Sequence, residues 1–365
     1  GSSFKPFIYS AALEKGLTPA SIFEDAPLSF SAGEVGSRSW TLNNYDGTFD
    51  GPMSMRQALI KSKNMVSIRI LQAIDVFYAQ DYVTRFGFDA KRHPPYLTMA
   101  LGAGSVTPWQ MAGAYAVFAN GGYRVKPNLI SKIVDANGKV IFEAKFDQAT
   151  VNAPRVIDAR NAFMMTSMLR DVVRRGTAAK AMALGRYDLA GKTGTTNNSI
   201  DAWFAGYNGK QVGVAWIGFD KPRSLGARET GGGVALPIWI KYMATVLKGT
   251  PNTELLVPDG IDALMVDETT GMQTNNVQNA IPEYFYTEYP PPDVNAPSAP
   301  SSNEEGAIDQ LMKLLSPAQN PPAKPTDNNG KVDTSPKKPA PNNAADVRQT
   351  NGADSFVDLA SQRGR

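Results

Sequence analysis

Three short stretches carry residue types able to do chemistry. The first is Ser2-Ser3-Phe4-Lys5. Its hydroxyl and amine are three residues apart, so on a helical turn they share one face. Phe7, Ile8, Ala11, Ala12 and Leu13 follow at helical spacing, Pro6 is tolerated in a first turn, and Gly16 and Pro19 are stop signals. At a helix N-terminus the dipole is positive and free N–H groups are available. Two readings fit: a serine nucleophile with a lysine base, or a serine cap beside a solvated lysine. The spacing alone does not choose, since it recurs at Ser335-Pro336-Lys337-Lys338 in a tail with no core-forming pattern.

The second stretch is Ser62-Lys63-Asn64. Before it, Pro52 to Ser62 reads as a helix, with Ser54 as cap and Met55, Ala58 and Leu59 as apolar face. After it, Val66, Ile68, Ile70, Leu71 and Ile74 form a second helix. A polar cluster at such a junction can face a cleft, or can simply cap the second helix. The third stretch, Lys192-Thr193-Gly194-Thr195, precedes two aromatic runs, 202–207 and 211–218, that flank Asn208-Gly209. That pattern is a strong hairpin signal. It places Lys192 to Thr195 on a strand beside an antiparallel hairpin. A cation, two hydroxyls and the bare backbone of Gly194 suit an extended anionic ligand. An exposed strand that happens to carry a lysine is the ordinary alternative.

The elements between these stretches must bring them together. Leu17 to Gly51 reads as a long irregular connection. Phe77 to Phe86 is a helix closed by Gly87. Thr107-Pro108-Trp109-Gln110 is a capping box that opens a helix to Phe118. Leu129 to Phe142 folds as a small hairpin around Ala136-Asn137-Gly138. Asp158 caps a helix whose buried face holds Phe163, Met164, Met168, Leu169 and Val172, and which ends near Arg174-Arg175. Thr230-Gly231-Gly232-Gly233 reads as a flexible loop before a helix from Ala235 to Leu247, and 261–271 as one more small hairpin or strand. Beyond about Tyr289 the composition shifts to Pro, Asn, Ala and Ser, which cannot bury enough apolar surface to offset ordering. Within that tail Ile308, Leu311, Met312 and Leu315 could form one amphipathic helix.

Composition narrows the chemistry. A net charge of +3 over 365 residues gives no argument for nucleic acid. The absence of cysteine excludes disulfides, thiolate metal sites and thiol nucleophiles. The single histidine, His93, precedes Pro94-Pro95 and reads as a surface loop residue, which disfavours a histidine triad or metal site. No apolar run has membrane-spanning length.

Ser-x-x-Lys, Ser-x-Asn and Lys-Thr-Gly, in that order, are the signature of serine β-lactamases and penicillin-binding proteins. With Arg174-Arg175-Gly176-Thr177-Ala178, Gly191 to Thr196 and Thr230-Gly231-Gly232 in support, the chain resembles the transpeptidase domain of class A, bifunctional penicillin-binding proteins of the 1A type. The likeness runs from Gly1 to about Gly249, and more weakly to Gly271. Lys63 stands where the β-lactamases carry Asp, which favours the synthetic enzymes.

The resemblance implies an α/β fold of the α+β type: a central antiparallel sheet, a helical subdomain and a disordered C-terminal tail. It divides the chain into a transpeptidase domain (1–249), an extension with a small hairpin (250–288) and the tail (289–365). Ser2 is then the acylated nucleophile and Lys5 its base, neutral for part of the cycle because burial and Lys192 lower its pKa. Ser62 relays a proton from Lys5 or Lys192 to the leaving amine. Asn64 binds peptide backbone. The N–H groups of Ser2 and Thr195 form the oxyanion hole. Lys192, with Thr193, Gly194 and Thr195, receives the carboxylate of a D-alanyl-D-alanine stem. The expected reaction is a two-step acyl transfer that cross-links peptidoglycan stem peptides and that β-lactams stall. No cofactor, metal or nucleic acid is implied. Partners would be other cell-wall synthesis proteins, on the extracytoplasmic side of the bacterial inner membrane.

Two alternatives stand beside this: a D,D-carboxypeptidase or β-lactamase-type hydrolase, and a non-catalytic β-lactam sensor or scaffold. The chain starts one residue before Ser2, whereas family members carry strands, a helix, a glycosyltransferase domain and an anchor upstream. It therefore reads as a fragment expected to be unstable and poorly active alone.

Overall fold

The computed structural model describes residues 1–30, 40–276 and 278–292; the amphipathic stretch around Leu311 lies outside them. A short turn, Ser2–Phe4, leads directly into helix α1, Lys5–Glu14. Every residue from Lys5 to Leu13 is buried, so α1 is an axle with no wet face. This is the mark of a helix sheathed by others. Around it lie α2 (Met55–Lys61), α3 (Asn64–Ile74), α4 (Val76–Thr84), α5 (Pro108–Ala119) and α6 (Ala159–Arg175). Phe4, Phe7, Phe86, Phe88, Tyr115 and Phe118 close one end of this group, with ring centroids mostly about 5 Å apart. The capping box is present: Thr107 Oγ1 accepts Gln110 N–H at 3.1 Å, and Gln110 Oε1 accepts Thr107 N–H at 3.0 Å.

The central sheet has three antiparallel strands in the order β7 (Ala190–Thr195), β8 (Ala202–Tyr207), β9 (Val212–Ile217). The register pairs Lys192 with Ala205 and Gly194 with Trp203. Strand β8 is buried along its whole length because both faces are covered. On one face Trp239, from helix α7 (Leu236–Val246), packs edge-on to Phe204 and donates to Gly213 O at 3.1 Å. On the other, Tyr207 meets Thr166 of α6 at 2.9 Å and the ring of Tyr115 of α5. Burying a ring such as Trp239 or Phe204 contributes about 2–3 kcal/mol.

Several local expectations change. The segment after Leu17 is not an irregular connection: it contains β1 (Ile22–Asp25), β2 (Leu28–Phe30) and β3 (Trp40–Leu42). Strand β1 pairs antiparallel with β4 (Gly51–Ser54), so α2 starts at Met55 rather than Pro52. Ser54 caps it, as expected, accepting Gln57 N–H at 3.2 Å. Residues 230–233 are no flexible loop but the start of a wide helical turn, Gly231–Ala235, with Gly231 buried. Strand β10 (Ile261–Asp267) finds its partner in β11 (Ala280–Tyr286), well beyond Gly271. This ribbon is tied to α2: Arg56 grips Glu283 through two bonds of 2.6 Å and reaches Asp171 at 3.1 Å. The hairpin of β5 (Lys132–Val134) and β6 (Val140–Glu143) forms as expected and is exposed throughout.

Candidate active site

Between the helical group and β7 runs a cleft of about 970 Å³. Its lining includes Ser2, Ser62, Asn64, Thr193 and Thr195. The three stretches that are far apart in the chain therefore meet. The close approach needs glycine at defined points. A Cβ on Gly194 would fall 2.8 Å from Ser3 Oγ, so the bare backbone lets β7 lie against the Ser2 turn. Gly102 has φ +72°, and a Cβ there would strike the backbone of Gly1.

Neither ordinary reading of the serines holds. Ser2 makes no capping bond, and Lys5 is fully buried rather than solvated. Ser62 does not cap α3; it terminates α2 in the left-handed region, φ 61° and ψ 37°. A β-carbon is unfavourable there. The N-cap of α3 is Lys63, which makes no side-chain cap bond.

Lys5 Nζ donates to Ser62 O at 2.7 Å, Lys63 O at 3.1 Å and Asn64 Oδ1 at 2.9 Å. Lys192 Nζ donates to Ser62 Oγ at 2.8 Å and to Thr193 O at 3.2 Å. The Ser62–Asn64 corner thus joins both amines. Burial, and then the neighbouring Lys192, hold Lys5 well below its ordinary 10.5. Burial pushes Lys192 down to about 7. The two observations on Lys5 pull apart. Three acceptors match the three hydrogens of an ammonium, whereas burial beside a second amine favours the neutral form. The shift runs towards the neutral amine, while the three acceptors are placed to hold the charged one. Among the described residues no hydrogen bond joins Ser2 Oγ to Lys5.

The hydroxyls of β7 are held from outside the strand. Thr193 Oγ1 lies 2.7 Å from Thr177 Oγ1, and Thr195 Oγ1 accepts Gly231 N–H at 3.0 Å. With one of its two lone pairs occupied by Gly231 N–H, the Thr195 hydroxyl still has its hydrogen to offer an anion in the cleft. Thr177 and Gly231 sit in stretches the sequence had marked only as supporting. Asp25, Asn44 and the inward role of Lys63 gave no sequence signal at all. His93 is a correction: it is buried, stacked on Phe4 at 4.8 Å, with burial lowering its pKa. Gly104 makes room for it, since a Cβ there would strike its ring. Among the described residues no group of His, Cys, Asp and Glu is arranged to hold a metal, and no helix is long and apolar enough to cross a membrane.

Known proteins resemble this chain in sequence and in fold. The profile of the penicillin binding protein transpeptidase domain matches residues 1–239. Penicillin-binding protein 1A of Pseudomonas aeruginosa is 43% identical over 359 residues, 84% of this chain and 44% of that protein. Its namesake in Neisseria lactamica is 51% identical over 263 residues, 72% of this chain and 33% of that protein. Among solved structures, penicillin-binding protein 1A from Haemophilus influenzae has a TM-score of 0.76 at 37% identity, covering 80% of this chain and 48% of that one. PonA1 from Mycobacterium tuberculosis, in complex with penicillin V, has a TM-score of 0.60 at 28% identity, covering 75% of this chain and 73% of that one. The chain spans less than half the length of these curated relatives.

Proposed function

The chain belongs to the penicillin-binding protein transpeptidase domain family, and from that premise we propose that it is a serine D,D-transpeptidase that cross-links peptidoglycan and is acylated by β-lactams. One observation carries the reading above all. Two buried amines, Lys5 and Lys192, converge on the Ser62–Asn64 corner of a cleft that Ser2, Thr193 and Thr195 also line.

The chemistry follows from proton inventory. When Lys5 loses a proton, one of its three donors becomes a lone pair, which a facing carbonyl oxygen repels. Reorientation towards Ser2 then lets the amine take the hydroxyl proton as Ser2 Oγ attacks the carbonyl of the penultimate D-alanine. The oxyanion is received by the N–H groups of Ser2 and Thr195. The C–N bond breaks, and the leaving D-alanine takes a proton delivered through Ser62 from Lys5 or Lys192. An amine from a second stem then attacks the ester, loses its proton along the same route and frees Ser2 Oγ. Thr193 and Thr195 donate to the terminal carboxylate. Lys192 sits behind them and adds positive charge when protonated. Asn64 has its oxygen turned towards Lys5.

On the same reading, the longer parent protein also carries a peptidoglycan glycosyltransferase domain and sits in the bacterial inner membrane, with this domain on the extracytoplasmic side. The test is intact mass after penicillin treatment, with peptide mapping. One slowly released adduct on the Ser2 peptide, absent in Ser2→Ala, is the expected result. Cross-linked stem peptides should be lost in the same variant. Rapid release would identify a hydrolase instead, and an adduct elsewhere would end the proposal.

A further inference from the structure

Lys63 lies between Ser62 and Asn64, yet its amine serves a different set of partners. Its Nζ is 3.2 Å from Asp25 Oδ2, 3.3 Å from Asp46 Oδ2 and 3.3 Å from Asp50 Oδ2, and it donates to Thr48 O at 3.2 Å. Both Lys63 and Asp25 are buried. Burial opposes the Lys63 charge, but hydrogen bonds to Asp25 and Asp46 outweigh it and hold the amine protonated.

Asp25 passes the contact on. Its Oδ1 accepts Asn44 Nδ2 at 2.7 Å, and its Oδ2 accepts Asp50 N–H at 3.0 Å. Asn44 Oδ1 in turn accepts Asn64 N–H at 2.8 Å, and Asn43 O accepts Asn64 Nδ2 at 3.2 Å. Only the Asn64 oxygen is left, and it receives Lys5 at 2.9 Å. A carboxamide turned by half a revolution would set its NH₂ against the Lys5 N–H groups, donor against donor. The orientation of Asn64 therefore depends on segment 43–50, and that segment is gathered by one buried ammonium.

We propose that Lys63 is a positioning residue of the acyl-transfer site: it pins residues 43–50 across the α2–α3 junction through Asp25 and Asn44, and so fixes the Asn64 oxygen towards Lys5. The inference rests on the function proposed above. It assigns work to a side chain that the Ser-x-Asn pattern leaves free to vary, and to Asp25 and Asn44, which no motif includes.

The full chain is compared with Lys63→Met, with the pair Lys63→Met/Asp25→Asn, and with Asn44→Ala. Labelled penicillin gives two separate readings, the labelled fraction and the acylation rate constant. Lys63→Met alone strands a buried carboxylate, so a lower melting temperature and a smaller labelled fraction are expected. The pair variant is neutral at both positions and Asn44→Ala keeps both charges, so these two carry the test. Loss of folded molecules lowers the labelled fraction but not the rate constant of those that remain. A mispointed Asn64 lowers the rate constant itself, by about 10–100-fold. Parental rate constants in both variants overturn the inference. A parent chain that melts cooperatively yet takes no label on Ser2 overturns the acyl-transfer reading, and this inference with it.

Discussion

Lys192→Met should flatten the rise of stability with pH. In the folded chain burial holds this amine at about 7, against 10.5 ordinarily. Between those values the unfolded chain binds the proton that the folded chain has released. Stability therefore increases as pH rises through this window and is lost as pH falls towards 7. The gap between 10.5 and about 7 corresponds to about 5 kcal/mol of unfavourable charge burial. Integrated from about pH 7 to about pH 9, Lys192 alone returns about 2 kcal/mol to the folded state. Lys5 is lowered too, so it adds in the same direction, and without Lys192 its own displacement shrinks. Tyr9 and Tyr207 are raised by burial, but they start from 10 and do not enter this window. Urea titrations of parent and variant at the two pH values give the comparison, with m-values checked for constancy. The parent should gain about 2 kcal/mol more than Lys192→Met. Equal gains would mean that Lys192 keeps its proton in the folded chain, and the inference from its burial to a lowered pKa would fail.

Two further outcomes follow from the packing. Arg56→Met leaves Glu283 buried without its partner, which costs about 3–5 kcal/mol; the melting temperature should fall sharply, and Glu283→Gln on top should recover much of the loss. Gly231→Ala puts a Cβ against Trp203 O and Gly194 O, both backbone atoms of the sheet, so the turn must retreat by about 1 Å and release Thr195 Oγ1. Acylation by penicillin should slow by about 10–100-fold, and an unchanged rate would show that the turn does not tune Thr195.

What the letters made legible was local. Asn208-Gly209 between aromatic runs announced the hairpin, and Thr107 with Gln110 announced a helix start, because in both cases the partners are a few residues apart. Strand β1 and its mate β4 gave no such signal: their pairing spans the segment around Asn44, and Pro52 sits in it. Strand β11 likewise lies beyond a long turn from β10. That the residues proposed for the active site would share one cleft was legible because their types recur at fixed spacing within each short motif. The inward role of Lys63, and Asp25 and Asn44 altogether, were not, since a group that orients another can be supplied from anywhere in the chain. His93 went astray for a related reason. Its proline neighbours suggested surface, while the ring that covers it comes from Phe4, far away in sequence.

Ser62 is a residue at odds with its own backbone. Glycine would rest more comfortably at φ 61°, by about 1 kcal/mol, yet glycine has no hydroxyl to offer Lys192. Selection for robustness and selection for turnover therefore pull this position in opposite directions. Both a glycine and an alanine here take the acceptor away from buried Lys192 and, on the proposed reaction, should be idle, but only the glycine is relieved of the backbone strain, so the difference in stability between the two measures what the turn alone demands.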